Sequence, residues 1–322
     1  MTEKLRKKIL IGSRGSELAL VQTRKVQGLL ASFFPEISFE IQVIRTEGDL
    51  LAKEPTSGLF LTQGIFTKEI EDALLSKKID LAVHSAKDLP TVLPEDLRIG
   101  AVLEREDVRD AWVSRTGAPL SGLAPGSIVA TGSPRRKAQL RRHFPHLKLV
   151  DIRGNVPTRL RKMKEGAADG LILAACGLER LKLSYEITEI LEKEIMFPAV
   201  SQGAIAIEIR KEDEAVRELI SKIHHEETSC RVEAERSLLR ILQGGCQVPV
   251  GVWSQLVKER LKLEGYLYSL DGKKAVGSSV EGSKRDASAL GQELANRIKA
   301  EGGQEILDEI RKAATFPQEG GR

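Results

Sequence analysis

Ser127-Ile128-Val129-Ala130-Thr131-Gly132-Ser133-Pro134-Arg135-Arg136 reads as a short apolar strand that runs straight into a capped helix. A serine hydroxyl at the Ser133 position accepts from a backbone N–H that the helix leaves unpaired. Proline fits the first helical turn, where its missing N–H is not needed. The arrangement recurs downstream: Lys148 to Ile152 is a strand, Arg153-Gly154-Asn155 opens a helix from about Val156 to Lys164, and Gly170 to Ala174 is a further strand. Upstream, Lys8 to Gly12 reads as a strand. Ser16 to Ser32 follows as an amphipathic helix with Leu18, Val21, Val26 and Leu29 among its apolar positions. Phe39 to Ile44 and Ile79 to His84 are strands, with a helix over Phe66 to Ser76 between them. Strands alternating with helices in this way predict parallel α/β sheets.

From about Glu226 the pattern changes. Thr228 to Leu242 reads as a helix, and Leu261 to Tyr268 with Lys274 to Val280 as a hairpin around Asp271-Gly272. Two helices follow, Arg285 to Ala300 and Gln304 to Ala313, which makes a separate small α+β domain. Phe316 to Arg322 is expected to be a loose tail. A chain of 322 residues accommodates two or three such domains.

The charge is unevenly placed. Thr131 to Lys164 holds eleven Lys/Arg and one carboxylate, Asp151, whereas the whole chain is only +4. Arg135, Arg136, Arg153 and Arg159 sit at helix starts, whose free N–H groups already favour anions. The block therefore reads either as a pocket for carboxylates or phosphates, or as a solvated face or nucleic-acid patch. Aromatics are only 4% of the chain, and the block contains Phe144 but no Tyr or Trp, so stacking on single strands is disfavoured. Polar residues gather at four strand ends: Arg14 with Ser16, Ser85 to Asp88, Thr131 to Arg136, and Arg153 to Arg159. Open α/β sheets bind ligands beyond the carboxyl ends of their strands, so these ends point to one anion-lined cleft.

Hydrophobic content of 41% and charge of 30% fit an ordinary globular chain. No run approaches the ~18 apolar residues of a membrane span, and Ile9-Leu10-Ile11 is too short for a signal peptide. Cys176, Cys230 and Cys246 are widely spaced and suggest a reduced, cytoplasmic setting, and nothing around them or the histidines suggests a metal site. Cys246 lies in Gln243-Gly244-Gly245-Cys246-Gln247-Val248-Pro249, an open loop suited to covalent attachment or simply to a turn. Cys176 and Cys230 read as structural, and His84 as a hydrogen-bonded core histidine. Asp88, at the lip of a buried strand, is suited to stabilising a cation or moving protons, and equally to a helix cap or an ion pair with Lys87.

Together these segments resemble the porphobilinogen deaminase (hydroxymethylbilane synthase) family. The strongest stretch is Glu235-Arg236-Ser237-Leu238 followed by Leu242 to Gly251. Ser13 to Leu20, Val83 to Pro90, Thr131 to Arg136, Arg153 to Leu160 and Pro198 to Ala204 agree with it, in unbroken order from about Ile9 to Arg311. The resemblance implies a transferase of tetrapyrrole (haem) biosynthesis. It joins four porphobilinogen molecules head to tail, with loss of ammonia, into linear hydroxymethylbilane. It implies a dipyrromethane cofactor in thioether linkage to Cys246. Ser85, Lys87, Thr131, Ser133, Arg135 and Arg136 are then expected to hold the cofactor, and Arg14, Ser16, Arg153 and Arg159 the substrate, with Arg180 a further candidate. Asp88 matches the catalytic aspartate, which stabilises the azafulvenium cation left by ammonia. The other classes compatible with the residues are a non-catalytic two-lobe binding protein for polycarboxylates and a nucleic-acid binder. The first needs neither Asp88 nor Cys246.

The implied fold is two periplasmic-binding-protein-like lobes with parallel-rich mixed sheets, plus a small C-terminal α+β domain. The corresponding divisions are 1–104 with 201–222, 105–200, and 223–322, with crossings near Glu104 to Asp107 and Pro198 to Gln202. A monomer without metal, membrane or nucleic-acid partner is expected. One departure lies in the loop Asp49 to Gly64. Gln63 stands where many relatives carry lysine, Leu59-Phe60-Leu61 replaces a glycine-rich stretch, and Lys53 has no evident counterpart.

Overall fold

Two five-stranded sheets among the described residues share one strand order. The computed structural model describes residues 7–48, 67–242 and 248–315. Its first elements are β1 (Lys8–Arg14), α1 (Glu17–Phe33), β2 (Ser38–Ile44), α2 (Lys68–Leu75), β3 (Leu81–Ser85) and β4 (Leu97–Val102). Next come β5 (Asp110–Ser114), β6 (Ile128–Ala130), α3 (Pro134–His143), β7 (Lys148–Val150), α4 (Val156–Lys162), β8 (Gly170–Ala174), α5 (Ala175–Arg180) and β9 (Glu189–Leu191). Then follow β10 (Ile205–Arg210), α6 (Glu214–Ser221), α7 (Glu226–Ile241), β11 (Val250–Val257), β12 (Arg260–Tyr268), β13 (Ala275–Ser283), α8 (Ala287–Ile298) and α9 (Gln304–Thr315).

The first sheet runs β2-β1-β3-β10-β4 and the second β7-β6-β8-β5-β9. In each, four strands run the same way and the one in fourth place is antiparallel to both of its neighbours. The residue pattern alone predicts parallel sheets; β5 and β10 correct that, and the mixed sheets implied by the family resemblance are what forms. The reason is topological. β5 enters the second lobe directly from the first and β10 makes the return journey. An antiparallel entry needs no helical crossover within the receiving sheet.

Register places the crossings. Asp110 pairs with Ala174 at the end of β8, and Ile205 with Ser85 at the end of β3. Both antiparallel strands therefore begin beside the carboxyl end of a parallel strand, and both crossing segments run along the edge where ligands bind. The crossings also bond to each other: Leu103 N–H donates to Ile205 O and Glu106 N–H to Gly203 O.

Both faces of each sheet are covered. Ala111 and Val113 join Leu171 and Leu173 in one core, while Trp112 and Ile172 meet Val129 and Leu140 on the other face. In the first lobe Ile9, Ile11, Leu81, Val83 and Ile207 lie against Val26 and Leu30 of α1. Two-sided burial explains why Gly170–Ala174 is an unbroken apolar run. Each such Leu, Ile or Val contributes about 1.5–3 kcal/mol by leaving water.

The third sheet, β11-β12-β13, is an antiparallel meander. It packs against α7, α8 and α9 through Leu238, Leu263, Leu294 and Ile298. The expected hairpin is present, with Gly272 at φ +75°. The extra strand β11 precedes it. A buried ion pair ties this unit to both crossings: Arg105 Nη1 and Nη2 donate to the two Glu235 oxygens at 2.6 and 2.9 Å, and Ser201 N–H donates to Glu235 Oε2 at 2.7 Å.

Candidate active site

β1 ends at Arg14, and Ser16 caps α1 by accepting from Ala19 N–H at 3.3 Å. β3 ends at Ser85 and enters a single tight turn, Ala86–Asp88. Arg14 Nη1 lies 4.0 Å from Asp88 Oδ2, whose side chain is 41% exposed. Arg14, Ser16, Gln22, His84, Ser85 and Asp88 line a cavity of about 60 Å³. Ser85 Oγ accepts from Gln22 Nε2 at 2.8 Å. Of the alternatives open to Asp88, neither the cap nor the pair with Lys87 forms. It closes the turn instead, its ion pair is with Arg14, and Lys87 Nζ donates to Gln202 Oε1 at 3.1 Å. His84 is buried as expected of a core histidine, with Nε2 3.1 Å from Glu208 Oε2, but the expected hydrogen bond is not made because the contact lacks hydrogen-bond geometry.

Across the cleft, Ser133 caps α3 by accepting from Arg136 N–H, and the Ser133 N–H donates to buried Thr131 Oγ1. Asn155 caps α4 in the same way through Thr158 N–H at 2.9 Å. Arg135 and Arg136 are buried on one carboxylate. Arg135 Nη2 donates to Asp110 Oδ2 at 2.7 Å, and Arg136 Nη2 and Nε donate to Oδ1 at 2.6 and 3.2 Å. Phe197 O and Ile172 O accept from their Nη1 groups. Burial alone raises the Asp110 carboxyl, and the two guanidiniums more than reverse it, leaving the carboxyl well below the usual carboxylate range.

Arg159 is half-buried, with Nε donating to Gly154 O at 2.7 Å. Desolvation and then Arg136 lower its pKa to about 10, while Asp88 opposes them. Lys87 keeps surface open to the cleft, yet desolvation and then Arg136 push its ammonium down, again against Asp88. Lys87 and Asp88 from the first lobe and Arg136 and Arg159 from the second therefore share one field. Arg153 precedes the Asn155 cap, with its carbonyl accepting from Lys162 Nζ. Arg180 serves the crossings: its guanidinium donates to Glu106 Oε2 at 2.5 Å and to Gly203 O at 2.8 Å. Cys246 and the loop 49–64, including Gln63, lie outside the described residues.

Among the described residues, the cations Arg14, Lys87, Arg135, Arg136 and Arg159 gather around the carboxylates of Asp88 and Asp110. Charge withdrawn from water needs a partner. A cleft so rich in cations suits a ligand that carries several carboxylates. Among the described residues no cluster of His, Cys, Asp and Glu could hold a metal ion, and no helix is long and apolar enough to cross a membrane.

Sequence reasoning missed Asp110, Gln202 and Glu235 as site-forming residues. Asp110 carries a readable signal, a carboxylate opening the apolar run Ala111-Trp112-Val113. Gln202 stands in a quoted motif, but nothing in its neighbours names its role.

Comparison with known proteins agrees. Residues 9–218 match the family model described as porphobilinogen deaminase, dipyromethane cofactor binding domain, and residues 229–300 match the porphobilinogen deaminase C-terminal domain. A porphobilinogen deaminase of Syntrophobacter fumaroxidans is 45% identical over 95% of this chain and 98% of its own length. Those of Synechococcus elongatus and Carboxydothermus hydrogenoformans are 47% and 44% identical, covering 94% and 96% of this chain and 95% and 99% of their own lengths. Among solved structures, the methionine-binding protein MetQ covers 71% of this chain and 95% of its own at 13% identity and a TM-score of 0.44, too distant to carry a conclusion. By family models and by relatives alike, the chain belongs to the porphobilinogen deaminase family.

Proposed function

We propose that this chain condenses four porphobilinogen molecules head to tail into hydroxymethylbilane, with Asp88 as the catalytic residue. Porphobilinogen is the substrate of the family, and the family's cofactor-binding domain spans both α/β lobes. The observation that carries the assignment of Asp88 is its position: a partly open carboxylate at the end of β3, 4.0 Å from Arg14, in a cleft otherwise rich in cations. Such a carboxylate stabilises positive charge that develops on a pyrrole as the amine departs. It also holds or passes the proton lost when rings couple.

The cations bind and orient. Arg14, Ser16, Arg153 and Arg159 are assigned to the carboxylates of the incoming substrate, where charge-assisted contacts are strongest. Ser85, Lys87, Thr131, Ser133, Arg135 and Arg136 are assigned to the dipyrromethane cofactor, with Cys246 as its thioether anchor. Most of Arg135 and Arg136 is committed to Asp110, so they act through their remaining N–H groups, since a guanidinium carries five. When bound, the cofactor supplies the pyrrole end to which new units are added.

Sheet membership supports division into domains at 1–104 with 201–222, 105–200, and 223–322. A cytoplasmic monomer acting on small molecules, without a nucleic-acid or membrane partner, completes the proposal. The test is to incubate the purified protein with porphobilinogen and measure ammonia together with linear tetrapyrrole. Stoichiometric release of both is expected. Ligand binding without ammonia would overturn the proposal.

A further inference from the structure

Gln202 sits in the second crossing with both ends of its amide committed. Its NH2 group donates to Val108 O at 2.7 Å and to Asp110 Oδ1 at 3.0 Å. The amide therefore cannot flip, and its oxygen must face Lys87, whose Nζ donates to it at 3.1 Å. Asp110 is the other end of this link. Its Oδ1 receives Gln202 and two N–H groups of Arg136, and its Oδ2 receives Arg135. Asp110 is fully buried and Gln202 equally so.

One carboxylate holding two buried guanidiniums leaves a surplus positive charge out of water. A design for stability alone would match the charges or remove them, because unpaired buried charge is costly. The same carboxylate also fixes an amide that reaches across to a lysine on the other lobe. The three cations come from two lobes: Lys87 follows β3 of the first, and Arg135 and Arg136 begin α3 of the second.

We propose that Asp110 and Gln202 are positioning residues, which hold Lys87, Arg135 and Arg136 at a set spacing across the two lobes so that the cleft presents a preset array of cations to an acidic ligand. The inference rests on the proposed function for its ligand, but the link is a property of the chain itself. Preorganised cations need no rearrangement when the ligand arrives. Against the desolvation and Arg136 that push the Lys87 ammonium down, the charges of Asp88 and Asp110 favour its protonated form, and Gln202 Oε1 accepts from its Nζ.

The experiment compares the full-length protein with Asp110→Asn and Gln202→Leu. The reactivity of Lys87 toward acetic anhydride is followed by peptide mass spectrometry across pH, beside melting temperature and steady-state kinetics. Both variants remove support for the charged ammonium, so the Lys87 profile should move to lower pH, and kcat/KM should fall about tenfold or more, equivalent to about 1.4 kcal/mol. Gln202→Leu keeps the carboxylate with its arginines and guards against a folding failure of Asp110→Asn. An unchanged Lys87 profile in both variants, even with a lower melting temperature, would overturn the inference and leave only a structural role. If wild type bound porphobilinogen without turnover, the functional proposal would fail, while the Lys87 comparison would still decide the link.

Discussion

Arg14 Nη1 stands 4.0 Å from Asp88 Oδ2, near enough to attract the carboxylate but too far for a hydrogen bond. Asp88 keeps 41% of its side chain open to the cleft. The pair thus leaves the carboxylate able to face a second, transient positive charge.

Replacing Asp88 with asparagine keeps the shape and removes that charge. Turnover should fall by ~10²-fold or more, the scale of one lost electrostatic stabiliser. Substrate binding in Asp88→Asn, measured separately, should change far less. Near-normal kcat would contradict the assignment.

Arg159 is assigned to a substrate carboxylate, and its planar fork suits that geometry better than an ammonium does. In Arg159→Lys the KM for porphobilinogen should rise by about tenfold, the loss of roughly 1.4 kcal/mol of binding. A KM equal to wild type would remove Arg159 from the substrate site.

Glu235 links α7 to the crossings through Arg105, and its pKa gives a pH signature. Burial raises the carboxyl and Arg105 outweighs it, so the folded-state value lies below the ordinary one. A depressed carboxyl contributes stability above its unfolded pKa, near 4.3, and that contribution is lost as pH falls through the folded value. Glu235→Gln should cost about 3–5 kcal/mol at neutral pH, because Arg105 is left buried without its partner. The gap from wild type should narrow as pH drops below about 4. Denaturant unfolding at a series of pH values checks this; a gap constant down to the acid limit would contradict it.

Gly203 makes the second crossing possible. Its φ is +87°, and a Cβ there would lie 2.6 Å from Glu106 O. Gly203→Ala should destabilise by about 1–3 kcal/mol, read as a melting temperature several degrees lower. An unchanged melting temperature would show that the crossings tolerate separation.

Much of this architecture was legible because it rests on local physics. Ser133-Pro134 and Asn155 cap helices where their chemistry says they should, and Gly170–Ala174 forms the strand its unbroken apolar run predicts. The strands that local reading missed include β5 and β10, which are set by pairing across the molecule. Each opens beside the end of a strand far away in sequence, and each carries a buried carboxylate, Asp110 or Glu208, that disguises it. The cleft cations were visible as a basic block, but their division of labour was not. That Arg135 and Arg136 share Asp110 depends on β5, which opens more than twenty residues earlier in the chain, pairing beside β8 in the same sheet, a contact no local spacing encodes.

The central claim is a covalent primer on Cys246 in a chain that builds tetrapyrroles. Intact mass of the purified protein beside Cys246→Ser tests it most directly. The predicted result is extra mass equal to two porphobilinogen units less two ammonias in the wild type, absent from the variant. Each protein at its own bare-chain mass, with no gain by the wild type after incubation with porphobilinogen, would contradict it.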